Sequence, residues 1–191
     1  YYPYIKNVSS ITDQPFSVAL DQRVAKTATS LGGYEASDLL FATSKNISAS
    51  ASPINLTFKH IMSKLKIRLV KGQDFEGEMP ATADVYIHNT VPTATVDLQA
   101  GVATRYVKGT RHTIIAHQDD EASYSAIIVP QRIDNRMPLI EVVMNGVSYL
   151  YESKFQFKPG IEHLVNLIIS DNPVIFFFLC NVNSEFIKLN I

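Results

Sequence analysis

Between Ile54 and Leu69 the chain alternates apolar and polar residues with a period of two, and then changes phase. Ile54, Leu56, Phe58 and Met62 occupy even positions, whereas Leu65, Ile67 and Leu69 occupy odd ones, with Lys64, Lys66 and Arg68 between them. A strand sends successive side chains to opposite faces, so a shift of one residue carries the whole apolar set to the other side. One face can stay on a core through both halves only if the backbone gains or loses a residue near 61–64. The pattern therefore predicts a bulge, kink or sheet change there, between two consecutive half-buried strands, which is the corner geometry of a β-sandwich.

Further strand signals follow at short intervals, separated by Gly, Pro, Asn and Asp. The predicted strands cover 54–60, 64–70, 83–89, 94–98, 102–107, 112–117, 124–130, 138–144, 147–157 and 161–169. This spacing fits an all-β, antiparallel sandwich or barrel. Met144-Asn145-Gly146-Val147 is a two-residue hairpin signal, because Asn-Gly accepts the positive φ angles of a type I′ turn. Pro159-Gly160 ends one strand, and Ile161, His163, Val165, Leu167 and Ile169 then share the core face of the next. Residues 124–129 read as buried on both sides. Helical periodicity is confined to a turn or two within 35–42.

The strands divide the chain into a long irregular N-terminal segment (1–50), a sandwich (51–170) and a hydrophobic tail (171–191). The first segment opens on Tyr1-Tyr2-Pro3-Tyr4-Ile5, a short strand signal, and continues through a polar stretch. A connection that long belongs partly to a neighbouring unit or wraps over the sandwich. The start on Tyr1, without a leader, leads us to expect further chain upstream. In the tail, Val174-Ile175-Phe176-Phe177-Phe178-Leu179 is apolar on both faces. It is either a strand buried in this or another subunit, or an exposed aggregation hazard.

Composition narrows the function classes. The 191 residues carry a net charge of −1, so the basic stripe of a nucleic-acid binder is not expected. A single cysteine, Cys180, excludes an internal disulfide framework. The run from Val174 to Cys180 is far shorter than the ~20 apolar residues of a membrane-spanning helix. Nucleophile-elbow, zincin, phosphate-loop and Cys-x-x-Cys motifs are lacking, so we expect a non-catalytic protein with no cofactor or metal.

Several side chains still invite a functional reading beside a structural one. His60, on the core-directed phase, is either a ligand or base, or a structural histidine satisfied by backbone. His117 with Asp119, Asp120 and Glu121, and likewise Asp74, Glu76 and Glu78, are cation-site candidates without calcium-loop spacing; the alternative is a solvated turn. Lys59, Lys64, Lys66, Arg68 and Lys71 form a basic strip, facing an acidic ligand or simply water. Tyr149 and Tyr151, on one side of a strand, are candidate ligand aromatics for a sugar ring, or cross-strand packing. Asn7, Asn46 and Asn55 begin N-glycosylation tripeptides that recur by chance in a Ser/Thr-rich chain.

Ser37-Asp-Leu-Leu-Phe-Ala42, Leu56-Thr-Phe-Lys-His60 and Ser63-Lys-Leu-Lys-Ile67 resemble motifs of the fimbrillin family of Bacteroidales surface proteins. Tyr1-Tyr-Pro-Tyr4, Ala126-Ile-Ile-Val-Pro-Gln131 and Phe157-Lys-Pro-Gly160 are similar to that family in the same order, so the resemblance spans roughly residues 1–170. It implies Greek-key, transthyretin-like β-sandwiches in secreted lipoproteins of the outer membrane, acting as structural or adhesive fimbrial subunits. Residues 1–50 would then close a preceding domain. The resemblance also implies assembly by β-strand addition with other fimbrial subunits, in which Val174, Phe176 and Phe178 are the candidate donor-strand contacts. Host or bacterial surface proteins or glycans would be the adhesion targets. The alternative from a different class is a cell-surface carbohydrate-binding module built on Tyr149 and Tyr151.

Overall fold

The computed structural model describes residues 8–44 and 55–170, together with the backbone of 178–181 and 189–190. Tyr1–Ile5 therefore lies outside the described residues. In chain order the elements are β1 (Gln14–Ser17), α1 (Gly33–Ser37), β2 (Leu40–Phe41), β3 (Thr57–His60) and β4 (Ser63–Lys71). Then follow β5 (Asp84–Thr90), β6 (Thr93–Asp97), β7 (Val102–Arg105), β8 (His112–Ile115), β9 (His117–Asp120) and β10 (Ser123–Ile128). The last are β11 (Gln131–Met144), β12 (Val147–Phe157), β13 (Glu162–Ile169), β14 (Phe178–Asn181) and β15 (Leu189–Asn190).

Two sheets form the sandwich. One has five strands in the order β14-β13-β4-β10-β9, the other four in the order β12-β11-β5-β8. Two three-stranded sheets, β1-β6-β7 and β15-β3-β2, flank them. Inward residues of both layers merge into one apolar cluster that includes Leu65, Ile67, Ile87, Tyr124, Ile128, Ile140, Val142, Val165 and Leu167. Burying each such side chain contributes roughly 1.5–3 kcal/mol, and this drives the pairing of the layers.

The phase change at 61–64 is a change of sheet. β3 pairs with β2 and β15, whereas β4 joins the five-stranded sheet. Ile61, Met62 and Ser63 are all buried in succession, and so absorb the extra residue between the two alternating runs. Their backbone is held from two sides: Ile61 N–H donates to Leu39 O at 3.1 Å, and Lys64 N–H to Ile161 O at 3.0 Å. Gly160 N–H donates to Met62 O at 2.8 Å, and Gly160 itself has φ 66°, with its α-carbon so near His60 O that a Cβ would lie 2.9 Å away. This turn admits glycine for both reasons.

The Asn145-Gly146 hairpin forms as expected, with φ values of 50° and 78° and Met144 opposite Val147. β4 and β13 pair in parallel, Glu162 opposite Lys64 through Ile169 opposite Lys71, an exception to the antiparallel pattern. A parallel pair needs a long crossover, and here the chain traverses the whole opposite sheet between the two strands. Two strands differ from expectation. β11 begins at Gln131 rather than 138, because Asp134-Asn135-Arg136, a loop signal in sequence, bulges out of a continuing strand between Ile133 and Met137. Residues 117–120, read as a solvated turn, form the edge strand β9.

The N-terminal segment is woven into these layers. β1 pairs with β6, and Leu20–Gln22 runs beside Ile115, with Ile115 N–H donating to Leu20 O and Gln22 N–H to Ile115 O. The Gln22 side chain, 0% exposed, then bridges to the other sheet. Its Oε1 accepts from Ile127 N–H and its Nε2 donates to Ile127 O, both at 2.8 Å. A side-chain amide thus stands where β9 no longer reaches, since β9 ends opposite Ser125. Gln131 does the same at Val91, accepting from its N–H at 2.9 Å and donating to its O at 3.1 Å.

Gln22→Leu keeps the bulk but strands two buried backbone groups of Ile127, each costing ~1–3 kcal/mol. Urea denaturation should show a loss of about 2–4 kcal/mol; a change under about 0.5 kcal/mol would mean the amide is dispensable.

Candidate functional site

The candidate site is the outer margin of the five-stranded sheet, where β13 meets β14. β13 alternates strictly: His163, Val165, Leu167 and Ile169 are buried, while Glu162, Leu164, Asn166 and Ile168 are half-exposed. On one side it is paired along its length with β4. On the other, its central residues accept β14 in antiparallel register, Leu164 opposite Asn181, Val165 opposite Cys180, Asn166 opposite Leu179 and Leu167 opposite Phe178. An unpaired strand edge presents a row of N–H and C=O groups that template another strand. Here a C-terminal strand of the same chain occupies that template.

Electrostatics fixes the root of β13. Lys64 Nζ lies 2.9 Å from Glu162 Oε2 across the parallel pair, both side chains partly shielded. Burial alone would weaken the Lys64 charge, but hydrogen bonds to Glu162 and Tyr34 outweigh it and hold the ammonium above its ordinary pKa. Burial pushes the Tyr34 phenol up. Below them, His163 is enclosed, edge-on to Phe155 and Phe157 at centroid distances of 5.3 and 6.2 Å. Its Nε2 accepts from Lys158 N–H at 3.1 Å, which suits the neutral ring. Burial first, and the Lys158 charge second, hold its pKa below the ordinary value.

The residues singled out from sequence distribute as follows. Val174 and Phe176 lie outside the described residues; Phe178 begins β14, and its backbone stands opposite Leu167. Tyr149, 8% exposed, belongs to the core cluster, and the half-buried Tyr151 packs against it. His60 Nδ1 lies 2.8 Å from Asp38 Oδ1, so its ring is tied to a carboxylate on the segment beside β2. In the basic strip, Lys64 is paired with Glu162 and Lys66 lies 3.9 Å from Asp119. Asp119 also accepts from Ser125 Oγ, and Asp74 from Ser170 Oγ. Among the described residues no group of three or more His, Cys, Asp or Glu could hold a metal ion.

Sequence reasoning missed a polar ladder on the outer face of the four-stranded sheet. Ser148 Oγ donates to Glu141 Oε1, Glu141 Oε2 lies 2.8 Å from His88 Nε2, and His88 Nδ1 lies 2.9 Å from Thr113 Oγ1. Each of the four stands on the outward phase of its own strand, which was readable. Their meeting depends on inter-strand register, which alternation within one strand does not carry.

The fold is that of an all-β sandwich in which the margin of the five-stranded sheet is completed by a C-terminal strand of the same chain. Comparison with known families is consistent with that: the chain matches the sequence profile of the fimbrillin-like family over residues 1–184 and belongs to it. No curated protein matches. Among solved structures, a candidate cell adhesion protein from Bacteroides uniformis superposes with a TM-score of 0.70 at 21% identity, covering 95% of this chain and 70% of that one. A second from Bacteroides ovatus gives 0.66 at 17% identity, covering 91% and 60%. A third from Bacteroides thetaiotaomicron gives 0.51 at 20% identity, covering 73% and 61%. At these identities the likeness is one of fold. The chain spans 60–70% of the length of these proteins.

A histidine held neutral by burial gives stability a pH dependence of definite sign. The unfolded chain binds the proton more readily, so stability is complete above ~6.5 and falls as pH drops through that value toward the lower native pKa. Over that window the unfolding free energy of the wild type, from urea titrations, should decline by up to about 1.4 kcal/mol per pH unit more than that of His163→Gln. Parallel pH profiles for the two proteins would show that His163 is not the group responsible.

Proposed function

We propose that the chain is a non-catalytic, structural and adhesive subunit of a bacterial cell-surface fimbria, joined to its neighbours by β-strand addition. The observation that carries this reading is the register of β14 on β13: an apolar C-terminal strand lies antiparallel along the sheet margin, opposite Leu164–Leu167. What one chain does to its own edge, the tail of a neighbouring subunit can do in trans, with main-chain hydrogen bonds giving affinity and alternate side chains giving register. Val174, Phe176 and Phe178 are the residues this reading assigns to contacts with the receiving subunit. Membership of the fimbrillin-like family and the fold shared with Bacteroides adhesion candidates support the adhesive role.

In this reading, residues 1–50 close a preceding domain and fold back onto the sandwich of 51–170, while 171–191 is the tail that assembles. The subunit sits at the outer membrane, exported and lipid-anchored through a segment other than those described. No helix among the described residues is long and apolar enough to cross a membrane. Its partners are other fimbrial subunits and a surface protein or glycan of the host or of another bacterium.

Deletion of residues 174–191 should abolish concentration-dependent self-association in size-exclusion chromatography while the far-ultraviolet circular dichroism of the sandwich persists. A peptide spanning 172–183 should then bind the shortened chain, and its Val174→Asp, Phe176→Asp, Phe178→Asp form should not. Unchanged association after deletion would reject strand addition by this tail.

A further inference from the structure

Two strand irregularities meet on the outer face of the four-stranded sheet. The β5–β8 register shifts between Ile87 and Thr90, and there Asn89 adopts φ 60°, a left-handed conformation that a residue with a side chain reaches only at some cost. The β11–β12 register shifts between Pro138 and Ile140. Asn89 Nδ2 donates to Pro138 O at 2.8 Å and ties the two bulges together. Bulges re-aim side chains and recur beside functional sites. Between these two lies a cleft of about 250 Å³, lined by the apolar Pro138 and Leu150 and by His88, Arg111, His112 and Thr113.

The chemistry of this cleft is amphipathic and cationic. Leu150, 40% exposed, offers an aliphatic surface. His88 is oriented by Glu141 at Nε2; with the ring proton directed at that carboxylate, Nδ1 accepts from Thr113, whose oxygen lone pairs remain for a ligand hydroxyl. Glu141 is itself taken up by Ser148 and His88. The strand and loop entering the cleft, residues 101–116, contain Arg105, Lys108 and Arg111 but no Asp or Glu. Among the described residues none of those three cations makes an ion pair, and Arg111 donates its side-chain hydrogen bond to the Met137 sulfur, at 3.3 Å. An apolar lining, the Thr113 hydroxyl and a guanidinium without an ion-pair partner among the described residues match the C–H face, hydroxyls and carboxylate of one acidic sugar ring. The volume, below the ~300–1,000 Å³ of pockets for drug-sized ligands, suits a single such unit at the end of a glycan.

We propose that this cleft binds the terminal residue of an acidic saccharide. Arg111 takes the carboxylate, Thr113 takes a ring hydroxyl, and Leu150 with Pro138 packs against the sugar's C–H face, while His112, its Nε2 held 2.8 Å from Thr110 Oγ1, lines the cleft. The proposal deepens the adhesive reading by naming a target class, and rests on it only for biological meaning. Binding is measurable whether or not the tail assembles. An anionic membrane would instead engage the protruding loop tip, where Val107 is 86% exposed, and would leave a concave site unfilled.

The test is saturation-transfer NMR and calorimetry on the full chain with glucuronate, glucose, acetate and vesicles containing anionic phospholipid. Glucuronate should bind, and glucose and acetate each at least about tenfold more weakly. Arg111→Gln should weaken glucuronate binding at least about tenfold, as loss of a charge-assisted hydrogen bond does, at unchanged melting temperature. Leu150→Ala should weaken it too. The proposal is overturned if glucuronate does not bind, if acetate binds as well as glucuronate, if Arg111→Gln leaves affinity unchanged, or if only the vesicles bind. Loss of self-association on tail deletion with glucuronate binding intact would leave both readings standing. The converse pattern, intact association without glucuronate binding, would remove this one alone.

Discussion

Every sheet in this molecule ends at an edge, and the backbone groups along an edge must be paired or hydrated, because a buried unpaired N–H or C=O costs as much as a typical hydrogen bond or more. Among the described residues, three places show how that requirement is met. At β10 the Gln22 amide takes over where β9 stops, at Val91 the Gln131 amide does so, and at β13 the backbone of 178–181 is laid down as a further strand. The first two closures are single side chains locked in the interior, unavailable to a partner. The third is a short strand contributed by the chain's C-terminal segment.

That requirement also explains why the N-terminal segment carries weight out of proportion to its regular structure. Leu20–Gln22 pairs with Ile115 at the margin of one sheet while the Gln22 side chain reaches Ile127 in the other, so a few residues stitch the two layers together. α1 then turns the chain beside β10 through Gly32 and Gly33, where a Cβ on Gly33 would fall 2.2 Å from Asp21 O. Packing of this closeness leaves β10 buried on both faces, as its run from Tyr124 to Val129 anticipated.

Legibility in the sequence followed the physics of each feature. Alternation along a strand is local, so β4, β5, β12 and β13 could be read within a residue or two, and the phase change at 61–64 announced its sheet switch. The Asn145-Gly146 turn was legible because two successive positive φ angles leave few residue choices. Features that depend on register were not legible. The Ser148–Glu141–His88–Thr113 ladder, the Asp38–His60 pair and the Gln22 bridge each join residues whose proximity is set by strand pairing. Polar residues such as Gln22 also carry no burial signal, since glutamine is usually exposed. Tyr149 failed as an exposed aromatic for the opposite reason: sharing a face with Tyr151 said which residues point together, not which way.

The β13–β14 margin and the cleft beside Asn89 belong to different sheets of the sandwich, with the apolar core between the layers. In the proposed assembly, the margin of the five-stranded sheet would pair through backbone hydrogen bonds, which are indifferent to side-chain identity. The cleft belongs to the four-stranded sheet and uses side chains placed by bulges, which can vary in sequence without disturbing the ladder behind them. On the proposed reading, substitutions at Arg111, His112 or Leu150 would alter the cleft without reaching the β13–β14 margin, because these positions are exposed on or beside the other sheet. Close packing forbids the same latitude at Val165 or Leu167, whose side chains are buried in the core.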